Sequence, residues 1–276
     1  MSSRRPFSLR RAGGRIYPNT VPRQPFRPTV TSTSDASRFP SPWPARLDLA
    51  QSLSGLSLAL FMWLHMAFVS SIHLGAEAFW TVARLFEGQF LFGRPVPLLV
   101  SLFGALVLGI VVLHALLGLR RLPASWRQYR AFAEHLRGMR HPDTSLWAAQ
   151  AITGFALLFL APIHLYRVMA EPHLIDPFGS ADLVWSGRAW PMLLLLLLCV
   201  EVHGTIGLYR LALKWGWPSF GDPLRTRRIL RRAMWLVMAF FITAGLLTLD
   251  TFVRIGREHA PSAGELYTPE WARPRP

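Results

Sequence analysis

Residues 191–204 read PMLLLLLLCVEVHG. Six leucines lead into Cys199, and then Glu201 and His203 follow with only Val202 between them. This is the most apolar part of the stretch 190–213. Such a stretch meets the requirement of about 20 mostly apolar residues for crossing a hydrocarbon core of about 30 Å. Ionisable side chains inside a span are expensive and point to function by default. Four more stretches qualify as spans: 50–74, 96–119, 146–169 and 233–253. The whole chain agrees with them. It has 276 residues, 51% of them hydrophobic and only 16% charged, where soluble domains carry about 25% charged residues. The expected fold is an all-α integral membrane protein with five transmembrane helices. Small residues recur within the spans (Gly55, Gly104, Gly109, Gly154, Gly204, Gly207) and read as points of close helix approach.

The net charge of +15 raises nucleic acid as a partner, and the placement of the charges removes it. Of the 30 basic residues, 22 lie before the first span or in the loops after the second and fourth. The positive-inside bias therefore places the N-terminus in the cytoplasm and the C-terminus outside. Residues 1–45 are rich in Arg, Ser and Pro and read as a flexible cytoplasmic arm. Residues 46–256 form the membrane domain, and 257–276 are a tail on the periplasmic side. Cys199 is the only cysteine. The sequence thus has no disulfide framework, no CxxC site and no covalent haem attachment motif.

Each of the first four spans carries one histidine well inside it: His65, His114, His164 and His203. His73, His135, His141, His173 and His259 fall at span ends, in loops or in the tail, and read as solvated surface. A rise of about 1.5 Å per residue sorts the four by depth from the cytoplasmic end. His65 and His164 lie roughly 21 and 27 Å in, and His114 and His203 roughly 9 and 10 Å in. In an up-down bundle, helices one and three are diagonal, as are two and four. Each level then offers two imidazoles across the bundle axis. That arrangement suits a flat macrocycle clamped from both faces, and imidazole is a common axial ligand of haem iron. Zinc would need three or four close ligands, which two levels of two histidines do not supply. The expectation is a four-helix bundle around two non-covalent b haems.

These residues and their flanks resemble a known family, the five-helix diheme cytochrome b anchors of fumarate reductases and succinate:quinone oxidoreductases. The resemblance runs from about Pro44 to Val253. It is carried by RLDLAQSLSGLSLALFMWLHMAFVSS (46–71), HALLGLR (114–120), WRQYRAF (126–132), MRHPDTSLWAAQAITGFALLFLAPIHLY (139–166) and VEVHGTIGLYRLALKWGW (200–217). It implies an inner haem held by His114 and His203 and an outer haem held by His65 and His164. It also implies a multi-pass subunit of the bacterial cytoplasmic membrane that exchanges electrons with menaquinol or menaquinone. The dicarboxylate chemistry would reside on a flavoprotein partner reached through an iron–sulfur partner, since neither cofactor has a binding motif here. Nucleic acid has no place in this picture, membrane lipid surrounds the chain, and a dimer of the whole complex is compatible with it.

Two carboxylates acquire roles by the same resemblance. Glu87, in LFEGQF (85–90), matches a residue that accepts protons as menaquinol is oxidised. Taken alone it reads as an ordinary loop glutamate. Glu201 matches a member of a transmembrane proton path. Taken alone it is either a relay group or a carboxylate satisfied by a neighbouring hydroxyl. Lys214, the only lysine, matches a partner of an inner-haem propionate, and Gln51, Ser52 and Trp147 match residues around that haem. Two stretches depart from the family pattern: the long basic arm, and segment 171–189, which borders the outer quinone region. The competing readings are a diheme anchor of a hydrogenase or formate dehydrogenase, which usually has four helices, and a transporter without haem.

Overall fold

The computed structural model describes residues 41–122, 125–138 and 142–272. Residues 1–40 of the basic arm therefore lie outside the described residues, as do His141 and the last four positions of the tail, while positions 43–45, read as part of the arm, belong to the first helix. A chain in lipid must satisfy its backbone polar groups internally, which leaves helices as the means of spanning for a sequence with these long apolar runs. Accordingly no strand occurs among the described residues. The elements are α1 (Trp43–Val69), α2 (Ala76–Phe86), α3 (Gln89–Phe92), α4 (Leu98–Leu119), α5 (Trp126–Gly138), α6 (Pro142–Ala170), α7 (Pro177–Val184), α8 (Trp190–Trp215) and α9 (Pro223–His259). Five of them, α1, α4, α6, α8 and α9, are long and apolar enough to cross a membrane.

α1 packs on α4, α4 on α6, α6 on α8, and α8 back on α1, which closes a four-helix ring. α1 and α6 are thus diagonal, as are α4 and α8. α9 stands outside the ring against α8 and α1. Leu197 of α8 occupies the space that a side chain at Gly245 of α9 would need, so these two helices approach closely. One apolar cluster sits near each end. Leu146, Ile206, Tyr209, Met234 and Met238 join α6, α8 and α9 at the arginine-rich end. Ile72, Phe79, Ala181, Val184 and Phe252 join α2, α7 and α9 at the other.

The spans are longer than the apolar runs alone suggest. α9 begins ten residues before position 233 and carries Arg225, Arg227, Arg228, Arg231 and Arg232 on its first turns. Asp222 caps it by accepting the Arg225 N–H at 2.8 Å. Asp143, in the first turn of α6, receives Arg227 at 3.0 Å, Arg231 at 2.8 Å and the Tyr209 hydroxyl at 3.1 Å. The short helices α2 and α7 close the opposite end. Asp176 starts α7 by accepting the Gly179 N–H at 2.6 Å, with Pro177 at the first helical position, a place where proline loses nothing because that N–H would be unpaired.

Candidate functional site

All four intramembrane histidines line one internal cavity of about 1400 Å³ that runs through the ring of helices. His65 of α1 and His164 of α6 have ring centres 6.1 Å apart. His114 of α4 and His203 of α8 have ring centres 6.3 Å apart. Each pair therefore faces across a diagonal of the bundle. A coordinated imidazole nitrogen sits about 2 Å from its metal and its ring centre about 1 Å further back, so two axial imidazoles hold their ring centres roughly 6 Å apart. Both pairs have that spacing. Among the described residues, no group of three or more His, Cys, Asp or Glu side chains could hold an ion between them. A closed tetrahedral site is thus missing from this set, and paired axial ligation is what the donors fit.

The backbone and its neighbours orient the rings. His203 Nδ1 lies 2.8 Å from the Gln150 carbonyl oxygen, and His114 Nδ1 lies 3.1 Å from Ser54 Oγ. A carbonyl oxygen can only accept, so His203 carries its proton on Nδ1 and keeps the Nε2 lone pair for a metal. An oxygen behind the ring commonly orients ligand histidines in this way. Two glycines make room for these rings. A Cβ at Gly154 would lie 2.6 Å from His203 Cε1, and one at Gly55 would lie 2.8 Å from His114 Cε1. The small residues read as helix-packing positions are, at these two places, seats for imidazoles. Phe61 stacks on His65 at 5.7 Å.

At the arginine-rich end, Gln51, Ser52, Trp147 and Lys214 all line the same cavity. Lys214 Nζ reaches Ser52 Oγ at 3.1 Å and Asp48 at 3.8 Å, while Arg120 and Arg121 also pair with Asp48. Gln51 Oε1 is buried without a hydrogen-bond partner among the described residues. Arg210 reaches Gln150 Oε1 at 2.6 Å. Several cationic groups thus ring the mouth of the inner pair, where an anionic cofactor edge would find compensation. Arg210, Ser54 and Gln150 were not singled out from sequence.

Glu87 is not a surface residue. Its side chain is 1% exposed and lines the cavity at the other end. It follows α2, and its own carbonyl accepts the Val96 N–H at 2.9 Å, which turns the chain back toward α4. The following Gly88 adopts a left-handed φ of 72°, and a Cβ there would lie 2.8 Å from Leu99. Glycine meets both demands. Arg84 pairs with Glu87 Oε2, and Oε1 has no partner among the described residues. Burial pushes the Glu87 carboxyl above the usual carboxylate range, against the pull of Arg84.

The structure does not bring Glu201 to the cavity with Glu87. Glu201 is fully buried, and Val200, His203 and Gly204 form the cavity wall beside it. It lies one helical turn from Leu197, on the side of α8 that meets α9. The Thr205 hydroxyl bonds to the Glu201 backbone carbonyl, not to its carboxyl. Neither carboxyl oxygen has a hydrogen-bond partner among the described residues. A neighbouring hydroxyl therefore does not satisfy it.

Two histidines read as solvated are engaged. His259 lies 3.0 Å from Asp182 and stacks on Phe178 at 4.2 Å, with its side chain 10% exposed. His73 is exposed but bonds to Thr248 at 3.1 Å. In both cases the partner comes from an element distant in sequence.

Comparison with known proteins accords with this geometry. A family model described as the succinate dehydrogenase/fumarate reductase transmembrane subunit matches residues 126–246. Over 221 residues the chain is 45% identical to the fumarate reductase cytochrome b subunit of Wolinella succinogenes, covering 80% of this chain and 86% of that one. It is also 45% identical over 215 residues to the protein of the same name from Helicobacter pylori strain 26695, covering 78% and 83%.

Proposed function

Since this chain belongs to the family of fumarate reductase cytochrome b subunits, we propose that it holds two b haems and carries electrons between a membrane quinol and the catalytic subunits of an oxidoreductase complex. The two diagonal histidine pairs carry this reading, with ring centres 6.1 and 6.3 Å apart in one continuous cavity. Bound there, b haems would supply one-electron carriers between the two ends of the bundle. His65 and His164 would hold the outer group and His114 and His203 the inner one.

At the outer end, quinol oxidation releases two electrons and two protons. Glu87 lines the cavity, keeps one carboxyl oxygen without a partner among the described residues and is held in place by Arg84, so it can act as general base toward a quinol hydroxyl. At the inner end, Lys214, Ser52, Gln51 and Trp147 surround the polar edge of the inner site. Glu201 would take up a proton within the bilayer as negative charge arrives nearby. The arginine-rich end would face the cytoplasm and dock an iron–sulfur protein that leads to a flavoprotein. Likeness over most of the chain, with five spans, favours this reading over a hydrogenase-type anchor or a transporter.

Haem analysis tests it. Pyridine haemochrome assay of the intact complex should give two low-spin b haems per chain. Replacing His114 or His203 should remove the inner haem preferentially, and replacing His65 or His164 the outer one. Fewer than two haems in the wild-type complex would overturn the reading.

A further inference from the structure

Residues 264–272 lie as a strap across the end of the bundle that holds Glu87. Three carboxylates from two other elements pin it. Gly264 donates its N–H to Asp182 Oδ2 at 2.8 Å, while the other oxygen of Asp182 takes His259. Tyr267 donates its N–H to Asp176 Oδ2 at 3.0 Å, and its hydroxyl bonds to Glu77 of α2 at 2.8 Å. Trp271 meets Trp80 edge-on at 6.0 Å, and Tyr267 meets Phe178 at 5.4 Å. Two strap residues, Gly264 and Leu266, line the same cavity as Glu87.

Asp176 is the shared pin. It is 1% exposed, as Glu87 is. One oxygen holds the start of α7 through Gly179, and the other holds the strap through Tyr267. It lies close enough to Glu87 for each carboxylate to sense Arg84, and for Glu87 to sense Asp176. A buried acid with both oxygens committed to backbone N–H groups has little proton-transfer capacity to spare, but it fixes the relative position of everything it touches.

We infer that Asp176 is a positioning residue for the Glu87 pocket: by pinning the strap to the start of α7, it sets the cavity wall against which the quinol ring rests. This rests on the quinol reading above. Its occupant is an apolar ring with hydroxyls, because Leu266 supplies apolar wall and Glu87 the acceptor. Asp176 would act on binding and leave the chemistry to Glu87.

Asp176→Asn in the full membrane complex is the test. The amide turns an acceptor into a donor that faces a backbone N–H, so one pin is lost. With a dimethylnaphthoquinol as substrate, KM should rise about fivefold, the change expected from one lost hydrogen bond. The rate at saturation should hold, as should haem content and dye-driven fumarate reduction. Hydrogen–deuterium exchange across 264–272 should speed up. Faster exchange with an unmoved KM would overturn the positioning role, and so would a fall in kcat with KM unmoved. Unchanged exchange would overturn the pin itself. If Asp176→Asn fails to assemble, Asp182→Asn loosens the Gly264 end of the strap together with the His259 contact, and an unmoved KM there overturns the inference. A wild-type complex that oxidises no naphthoquinol would instead sink the quinol reading, which separates the two failures.

Discussion

Replacing Gly154 by alanine puts one methyl group against the imidazole of His203. In the structure that carbon would sit 2.6 Å from Cε1 and 2.8 Å from Nδ1. Carbon atoms in contact rest at about 3.5–4.0 Å, so the ring or the helix must yield by about 1 Å. Ligand distances in a metal site tolerate only about ±0.2 Å. The ring cannot retreat freely, because its Nδ1 bond to the Gln150 carbonyl is 2.8 Å long and originates one turn away on the same helix as Gly154. Overpacking of this kind costs about 1–3 kcal/mol, which corresponds to a loss of inner-haem affinity of about 5- to 150-fold. Gly109→Ala serves as control, since its Cβ would meet nothing within 4 Å. The assay is haem per complex by pyridine haemochrome, with a redox titration to identify the missing component. Two haems with unaltered potentials in Gly154→Ala would refute the seat described for His203, and with it the assignment of that ring as an inner ligand.

Glu87→Gln keeps the side-chain shape and removes the base, so quinol-linked fumarate reduction should be lost while both haems and dye-driven fumarate reduction remain. Because burial raises the Glu87 carboxyl and a base works only when ionised, wild-type quinol oxidation should fall toward acid pH along a limb above the usual glutamate value of about 4.3; a pH–rate profile without that limb would count against Glu87 as the base. Glu201→Gln should spare the dye reaction, impair quinol-linked turnover and change the pH dependence of a haem midpoint potential, which spectroelectrochemical titration at several pH values would detect. Asp143→Asn weakens the contacts of Arg227, Arg231 and Tyr209 with α6; these partly exposed pairs contribute about 1 kcal/mol, so a thermal unfolding scan in detergent should show a drop of a few degrees with haem content intact.

The spans and the four histidines are legible in the sequence because a membrane imposes blunt demands. About 20 apolar residues must run together, and an imidazole inside such a run stands out. Depth counting and alternation of direction suffice to pair the histidines, since the first follows from helix rise and the second from up-down connectivity. What escapes is anything fixed by a distant neighbour. Ser54 meets His114 sixty positions away, and the partner of His203 is a backbone carbonyl, which leaves no mark on side-chain composition. Glu87 reads as a loop residue and His259 as solvated because neither lies inside an apolar span. For His259 the cover comes from Asp182 and Phe178 of α7, far away in the sequence. The arginines at the start of α9 hide a helix for a related reason: hydropathy marks where lipid begins, and the helix continues past it.

α9 has 37 residues, or about 55 Å of helix, against a hydrocarbon core of about 30 Å. It is tied at both ends, to Asp143 through Arg227 and Arg231 and to Asp182 through His259. A member longer than the bilayer and fixed at each end behaves as a strut. Membranes of other thickness would ordinarily be met by helix tilt or kinking, but here the tethers hold α9 against its neighbours, so the adjustment falls to the lipid or to the tilt of the whole protein. The vertical gap between the two histidine levels is then a property of the protein frame and not of the host membrane. With two haems bound as proposed, electron transfer between those levels should keep its rate across lipids of different chain length.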